Sequence, residues 1–212
     1  MFQQTQDADY LATVEARVRG EYLTWCEQFL DLIAEHGGGD GGRTLNDIGC
    51  CAGQFYKSLK HRGLPITYRG FDIEPAYIQI ARRIFPELEG ATQQLDVERE
   101  ELPTADITIV SATLEHLTDP EAVVARLLDR TRRLGIFRTF LGDAPLDQWR
   151  QKPQAPRPYR IRQFERAAFV SLVESRGFDV EIVEDRYTRS QPVQIDEGIV
   201  RSQFVVVAVR KE

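Results

Sequence analysis

The chain has 212 residues, 42% hydrophobic and 28% charged, with a net charge of −6. That is enough for one well-buried soluble domain and short for two. The acidic balance argues against a nucleic-acid binder, which needs a basic face. No run of eighteen apolar residues suggests a membrane span, and the opening MFQQTQDADY lacks the basic end and apolar centre of a signal peptide. Cys26, Cys50 and Cys51 are too few and uneven for a secreted disulfide framework, so a reduced cytoplasmic setting is expected. His36, His61 and His116 show no metal-ligand spacing, and no metal is expected.

In chain order, the apolar spacing Leu11, Val14, Val18, Tyr22, Trp25, Phe29, Ile33 predicts a helix over Tyr10–His36. A glycine-rich link, Gly37–Gly42, follows. This divides the chain into an N-terminal part, 1–42, and a main domain, 43–212. Thr44–Ile48 reads as a strand, Gln54–His61 as a helix, and Ile66–Phe71 as a strand ending at Asp72. Glu74-Pro75 opens a helix that runs to Pro86. Ala91–Leu95 and Ile107–Ala112 are strands. Thr118-Asp119-Pro120-Glu121 starts a helix that runs to about Arg130, with Thr or Asp as its cap. Leu134–Leu141 is a strand and Phe164–Ser175 a helix. Phe178–Val183 and Phe204–Val209 are closing strands. Alternating strands and helices, with continuous apolar strands such as ITIV, predict a mainly parallel sheet with helices on both faces.

In such sheets ligands bind beyond the carboxyl ends of the strands. The first such end is LNDIGCCAGQF, with Gly49 and Gly53 spaced for close backbone approach. It fails the Walker pattern, because Gln54 follows Gly53, and it fails G-x-G-x-x-G. Alone, the pair is equally an ordinary strand-to-helix turn. Asp72 ends the second strand, where a carboxylate can accept from vicinal ribose hydroxyls or cap the next helix. Asp96 ends the third, where it can accept from the exocyclic amine of a base, with the Val97 N–H facing the ring, or stand as a solvated loop acid. Three successive strand ends thus carry acids.

Together, LNDIGCCAG, GFDIEP, LDVERE and ITIVSATLEHL resemble the class I S-adenosylmethionine-dependent methyltransferases, whose pattern is similar to VLDIGCGTG, GVDIS, a strand-end Asp and LEHL. YRIRQFERAAFVSLVESRGFDVEIVE and QFVVVAVRK resemble that family's closing elements, so the likeness covers Thr44 to Lys211. It implies an α/β, Rossmann-like, seven-stranded sheet, mainly parallel, with the last strand antiparallel. It implies S-adenosyl-L-methionine as cofactor. Gly49, Cys50, Cys51 and Gly53 would lie against its methionine part, and Asp47 would support the loop and the ammonium. Asp72 with Ile73 would hold the ribose, Asp96 and Val97 the adenine, and Ser111 would approach the methionine and face substrate. Cys51 departs from the family, which has glycine there. Its Cβ reduces clearance and costs about 1 kcal/mol if φ is positive. Redox or metal chemistry is not expected of Cys50 and Cys51, which lack partner ligands.

His116, in LEHL, is the candidate general base, with a structural role for it as the competing reading and Glu115 as a weaker candidate. The segment Gln148–Arg166 is basic, and Arg157, Tyr159 and Arg160 suit a carboxylate or phosphate, with Trp149 or Tyr159 for stacking. As a solvated loop it would do nothing specific. Arg138, within the apolar GIFRTFL, must pair with an internal acid or reach the substrate pocket. The expected activity is methyl transfer to a small-molecule acceptor, through oxygen, on an anionic metabolite or glycan precursor. A weakened methyltransferase fold serving as a binding or regulatory partner is the alternative. A macromolecular acceptor fits the acidic charge poorly.

Overall fold

The computed structural model describes residues 8–37, 41–151 and 159–212. The first seven residues, the centre of the glycine link, and Lys152 and Arg157 of the basic segment lie outside the described residues, and Tyr159 is described as backbone only.

Seven strands form the main sheet: β1 (Arg43–Ile48), β2 (Ile66–Asp72), β3 (Thr92–Gln94), β4 (Ala105–Ser111), β5 (Thr131–Gly142), β8 (Phe178–Glu184) and β11 (Gln203–Arg210). Their order is β3-β2-β1-β4-β5-β11-β8. β1 pairs parallel with β2 and β4, and β4 with β5, while β11 runs antiparallel to both its neighbours. This is the Rossmann-like sheet expected. The order reverses between β1 and β4, the switch point at which such sheets bind ligands.

Alternation along the central strands sorts side chains to two faces. Ile107, Ile109, Leu134, Ile136, Val205 and Val207 face one cluster, and Val110, Phe137, Val206 and Ala208 face the other. Helices α3 (Gln54–Arg62) and α4 (Pro75–Ile84) contribute to the first face through Phe55, Leu59 and Ala81. Helices α5 (Pro120–Asp129) and α6 (Arg166–Glu174) cover the second through Val124, Leu127, Phe169 and Val173.

The single N-terminal helix expected over 10–36 is two helices, α1 (Ala8–Arg19) and α2 (Thr24–Glu35). They part at Gly20, a poor helix residue whose carbonyl accepts from Lys57 Nζ. The break lets the two halves pack in different places. α2 buries Cys26, Phe29, Leu30 and Ile33 against the sheet, whereas α1 sets Val14 and Val18 on Ala52 and Ile80 beside α3 and α4.

The basic segment, expected as loop before a helix from Phe164, is an antiparallel hairpin of β6 (Leu146–Arg150) and β7 (Tyr159–Glu165). β7 joins the end of β5 at Leu141 and Gly142. A second hairpin, β9 (Val193–Asp196) with β10 (Ile199–Arg201), stands between β8 and β11.

Arg138, on β5, is 6% exposed and takes the first of the two alternatives open to it. Its Nε and Nη2 donate to the two carboxylate oxygens of Asp185 at 2.8 and 3.2 Å. Asp185 also accepts from the Thr188 backbone and hydroxyl at 2.9 and 2.6 Å. Removing one partner strands a buried charge, so Arg138→Met should cost about 3–5 kcal/mol in urea unfolding. The double variant Arg138→Met/Asp185→Leu should recover part of that loss. A double variant no more stable than the single would show that the pair does not behave as a buried ion pair.

Candidate active site

A cavity of about 450 Å³ opens at the carboxyl ends of β1 to β4. It is lined by Gly49 and Cys51 after β1, Asp72 at the end of β2 with Ile73 after it, Asp96 and Val97 after β3, and Ser111 at the end of β4 with His116 beyond it. Residues that the sequence placed at this site thus converge on one space.

The loop after β1 is built by backbone bonds. Gly49 and Cys50 both donate to Phe71 O, at 2.8 and 3.0 Å, and Gly53 donates to Cys50 O at 3.0 Å. Gly49 has φ +73°, and a Cβ there would lie 2.1 Å from Thr113 Oγ1, so no other residue fits. Cys51 has φ +49° and carries the strain anticipated for it. Ala112, across the cavity, also has positive φ, +52°.

Asp72 ties this loop to β2. Its Oδ2 accepts from Cys51 N at 2.8 Å and its Oδ1 from Glu74 N at 2.9 Å. It therefore holds the residue before α4 without being that helix's cap, which is Glu74, and it also faces the cavity. Burial pushes its carboxyl up to about 6, against the pull of those backbone N–H groups. Asp96 accepts from Glu98 N at 3.0 Å, which fixes the turn after β3.

Three expected cofactor residues do not line the cavity. Asp47 points beneath the loop and accepts from Tyr68 Oη at 2.8 Å. Burial raises its carboxyl to about 7, opposed by the Tyr68 bond and helped by the charge of Asp72. Cys50 is buried, its Sγ beside Gly70, where any Cβ would come within 2.9 Å of that sulfur. Gly53 turns into α3 against Phe85. These residues shape the loop from behind. Burial lifts the Cys50 thiol well above its ordinary range and the Cys51 thiol to about 12, so both are protonated near neutrality. They act as small packing groups.

His116 ends the short 3-10 turn Leu114–His116 and lines the cavity. Burial, then the charge of Arg201, lowers its pKa below 6.5. Its neighbour Glu115 turns inward, with Oε1 accepting from Thr139 Oγ1 at 3.1 Å, and burial raises its carboxyl. It is not among the lining residues. Neither Arg138 nor Arg160 lines the cavity either. Arg160 is held by Asp147 through Nε and Nη2, both at 2.6 Å, so it offers no free fork to an acceptor there.

Sequence reasoning missed Tyr10, Tyr77, Glu98, Ala112, Thr113 and Leu117, all of which line the cavity. Tyr10 hydrogen-bonds Tyr77. It arrives from α1, far away in the chain, and no local pattern could have announced it.

Among the described residues, the charged side chains facing the cavity besides His116 are Asp72, Asp96 and Glu98, all acids. An acidic lining suits a ligand that carries ammonium and sulfonium charge. The family described as "Methyltransferase domain" matches residues 17–183. The chain belongs to this methyltransferase family. It is 28% identical over 191 residues to "Ubiquinone biosynthesis O-methyltransferase" of Alkalilimnicola ehrlichii, covering 79% of this chain and 76% of that one. The protein of the same name from Acinetobacter baylyi is 30% identical over 101 residues, 45% of this chain and 42% of that one. Among solved structures, the N-terminal domain of EvdMO1 with SAH and D-fucose superposes with TM-score 0.66 at 15% identity, covering 91% and 85% of the two chains. Magnesium protoporphyrin IX methyltransferase from Synechocystis, with bound SAM, does so with TM-score 0.61 at 16% identity, covering 100% and 98%.

The protein is therefore an S-adenosylmethionine-dependent methyltransferase, and its cavity has the chemistry for that cofactor. When bound, the cofactor supplies an electrophilic methyl group on sulfonium sulfur. This methyltransferase departs from a relaxed loop at Cys51. Cys51→Gly should tighten S-adenosylhomocysteine binding by roughly threefold to tenfold in calorimetry, by clearing a Cβ from the cavity wall, whereas the strain at φ +49° is already present in the free loop and does not enter the binding difference. Thermal stability should change little, because glycine also loosens the unfolded chain. Equal or weaker binding would show that the Cβ leaves the cofactor undisturbed.

Proposed function

We propose that this methyltransferase transfers its methyl group to a hydroxyl oxygen of a small, uncharged acceptor, with His116 as general base. The observation that carries this reading is the placement of His116 and Ser111 in the same cavity as Asp72 and Asp96. Asp72 would accept from the ribose hydroxyls with Ile73 beside it, Asp96 and Val97 would meet the adenine, and Gly49, Cys51 and Ser111 would meet the methionine portion. His116, lowered by burial and by Arg201, is neutral at physiological pH and can accept the hydroxyl proton as the new C–O bond forms. The apolar wall of Ile48, Phe71, Leu95 and Leu117 excludes water from the transfer.

The O-methyltransferase names of both relatives support oxygen as the acceptor atom. The acidic lining favours an uncharged acceptor over an anionic one. Tyr159 stays a candidate acceptor contact from β7. The strain at Cys51 and Ala112 favours a second reading, a weakened methyltransferase fold that acts as a binding partner.

One experiment separates them. Protein is titrated with S-adenosylhomocysteine in a thermal shift, then incubated with methyl-labelled cofactor and a panel of phenols, sugars and amines. Stabilisation at millimolar ligand with label on hydroxyl products is expected. No stabilisation removes the enzyme reading and leaves the second, stabilisation with no labelled product also supports the second, and label on amines alone removes the oxygen assignment.

A further inference from the structure

We infer that Arg162, together with Arg160, is a positioning residue that clamps the His116 turn to the β6–β7 hairpin and so sets the aim of the base. This rests on the reading of His116 as general base.

The turn Leu114–His116 ends at Leu117, whose carbonyl is left open by the end of the turn. Two guanidinium groups meet that one oxygen. Arg162 Nη1 donates to Leu117 O at 2.6 Å and Arg160 Nη1 does so at 2.8 Å. Arg162 Nη2 reaches Thr118 O at 3.5 Å. Asp147, on the opposite strand of the hairpin, holds both forks, with Oδ2 accepting from Arg162 Nη2 at 2.8 Å and from Arg160 Nη2 at 2.6 Å. The two arginines hold its carboxyl down at about 2, so the clamp keeps its charges across the working pH range. Arg162 is buried, and its own carbonyl accepts from Arg201 Nη1 at 2.9 Å. Arg201 is the same residue whose charge acts on His116.

The opposite side of the turn is gripped from the cofactor end of the cavity. Glu98 accepts from Thr118 N at 2.7 Å and from Asp119 N at 3.1 Å. The residues just after His116 are therefore held between the turn that follows β3 and the β6–β7 hairpin. A carbonyl held by two charged donors is a stiffer anchor than a solvated one, and a misplacement of about 1 Å can cost a catalytic group about a hundredfold in rate. Arg160, which the sequence suggested for an acceptor anion, is thus engaged by the protein's own Leu117 carbonyl and by Asp147.

The test uses His116 itself as the probe. Protein labelled at histidine rings is followed by NMR across pH, with and without S-adenosylhomocysteine, and the His116 signal is assigned with His116→Gln. The variants are Arg162→Lys, whose single ammonium cannot serve two carbonyls and Asp147 together, and Asp147→Asn. In wild type one sharp His116 signal should move on adding S-adenosylhomocysteine. In Arg162→Lys it should broaden or double, and its midpoint should rise by roughly half a unit or more as the ring gains water, while calorimetric affinity for S-adenosylhomocysteine stays within about threefold. The charge of Arg201 bears on the ring, Glu115 adjoins it, and Asp72, Asp96 and Glu98 share its cavity, and neither variant alters any of these side chains. Asp147 is half-exposed, so Asp147→Asn carries the same test if Arg162→Lys fails to fold. A His116 signal with wild-type width and midpoint in the variants, still responsive to S-adenosylhomocysteine, overturns the clamp alone. A wild-type signal that ignores S-adenosylhomocysteine overturns the site reading, and the clamp with it.

Discussion

Asp72→Ala lowers the affinity for S-adenosylhomocysteine by about a hundredfold or more in calorimetry. The expectation follows from two hydrogen bonds to an ionised acceptor, each worth about 1.5–3 kcal/mol, with about 1.4 kcal/mol to each decade of affinity. The carboxylate also holds Cys51 N and Glu74 N, so its loss loosens the loop as well. Asp72→Asn divides these contributions, because its amide oxygen still accepts while its nitrogen does not, and it should fall between wild type and Ala. The pH dependence has a defined sign. Burial raises this carboxyl to about 6, so affinity is full above that value and declines as pH falls through it. Unchanged affinity in Asp72→Ala would show that the ribose assignment is wrong.

His116→Ala should lower kcat by roughly a hundredfold to ten-thousandfold, the span of general-base contributions, and leave S-adenosylhomocysteine affinity nearly unchanged. The wild-type rate should fall on the acid side as the ring gains its proton. Burial and Arg201 lower that pKa, so the acid limb should lie below 6.5. Wild-type turnover in the Ala variant would end the catalytic role of His116 and leave it the structural one.

The sheet was legible because its central strands are mostly apolar, as in the FVVVAV run of β11, and because helix punctuation sits where it should. Asp119 caps α5 by accepting from Ala122 N at 3.1 Å, with Pro120 behind it. Thr118, the other candidate cap, is turned to Glu98 instead. The two hairpins were not legible. β7 reads YRIRQFE, and two arginines in a short run look like solvated loop, yet Arg162 is buried because Asp147 and two carbonyls satisfy its donors. Arg138 posed the same problem and was resolved by Asp185, 47 positions away. The sequence pattern located Asp47 and Cys50 near the loop, but strand alternation and the space beside Gly70 put them behind it. The helix over 10–36 failed at Gly20, whose cost is tolerated inside many helices and here separates two packing partners.

Asp72 bridges the loop after β1 to the residue before α4 through its own two carboxylate oxygens. Because those bonds lie within the protein, the cradle needs no cofactor contact to hold its backbone, and little conformational entropy should be left to lose on binding. Association should be fast and single-phased, with a heat-capacity change no larger than the buried ligand surface demands. A methyltransferase built this way uses folding stability to hold the cofactor site ready, and on the proposed reading its discrimination among acceptors would fall to the wall of the cavity around His116.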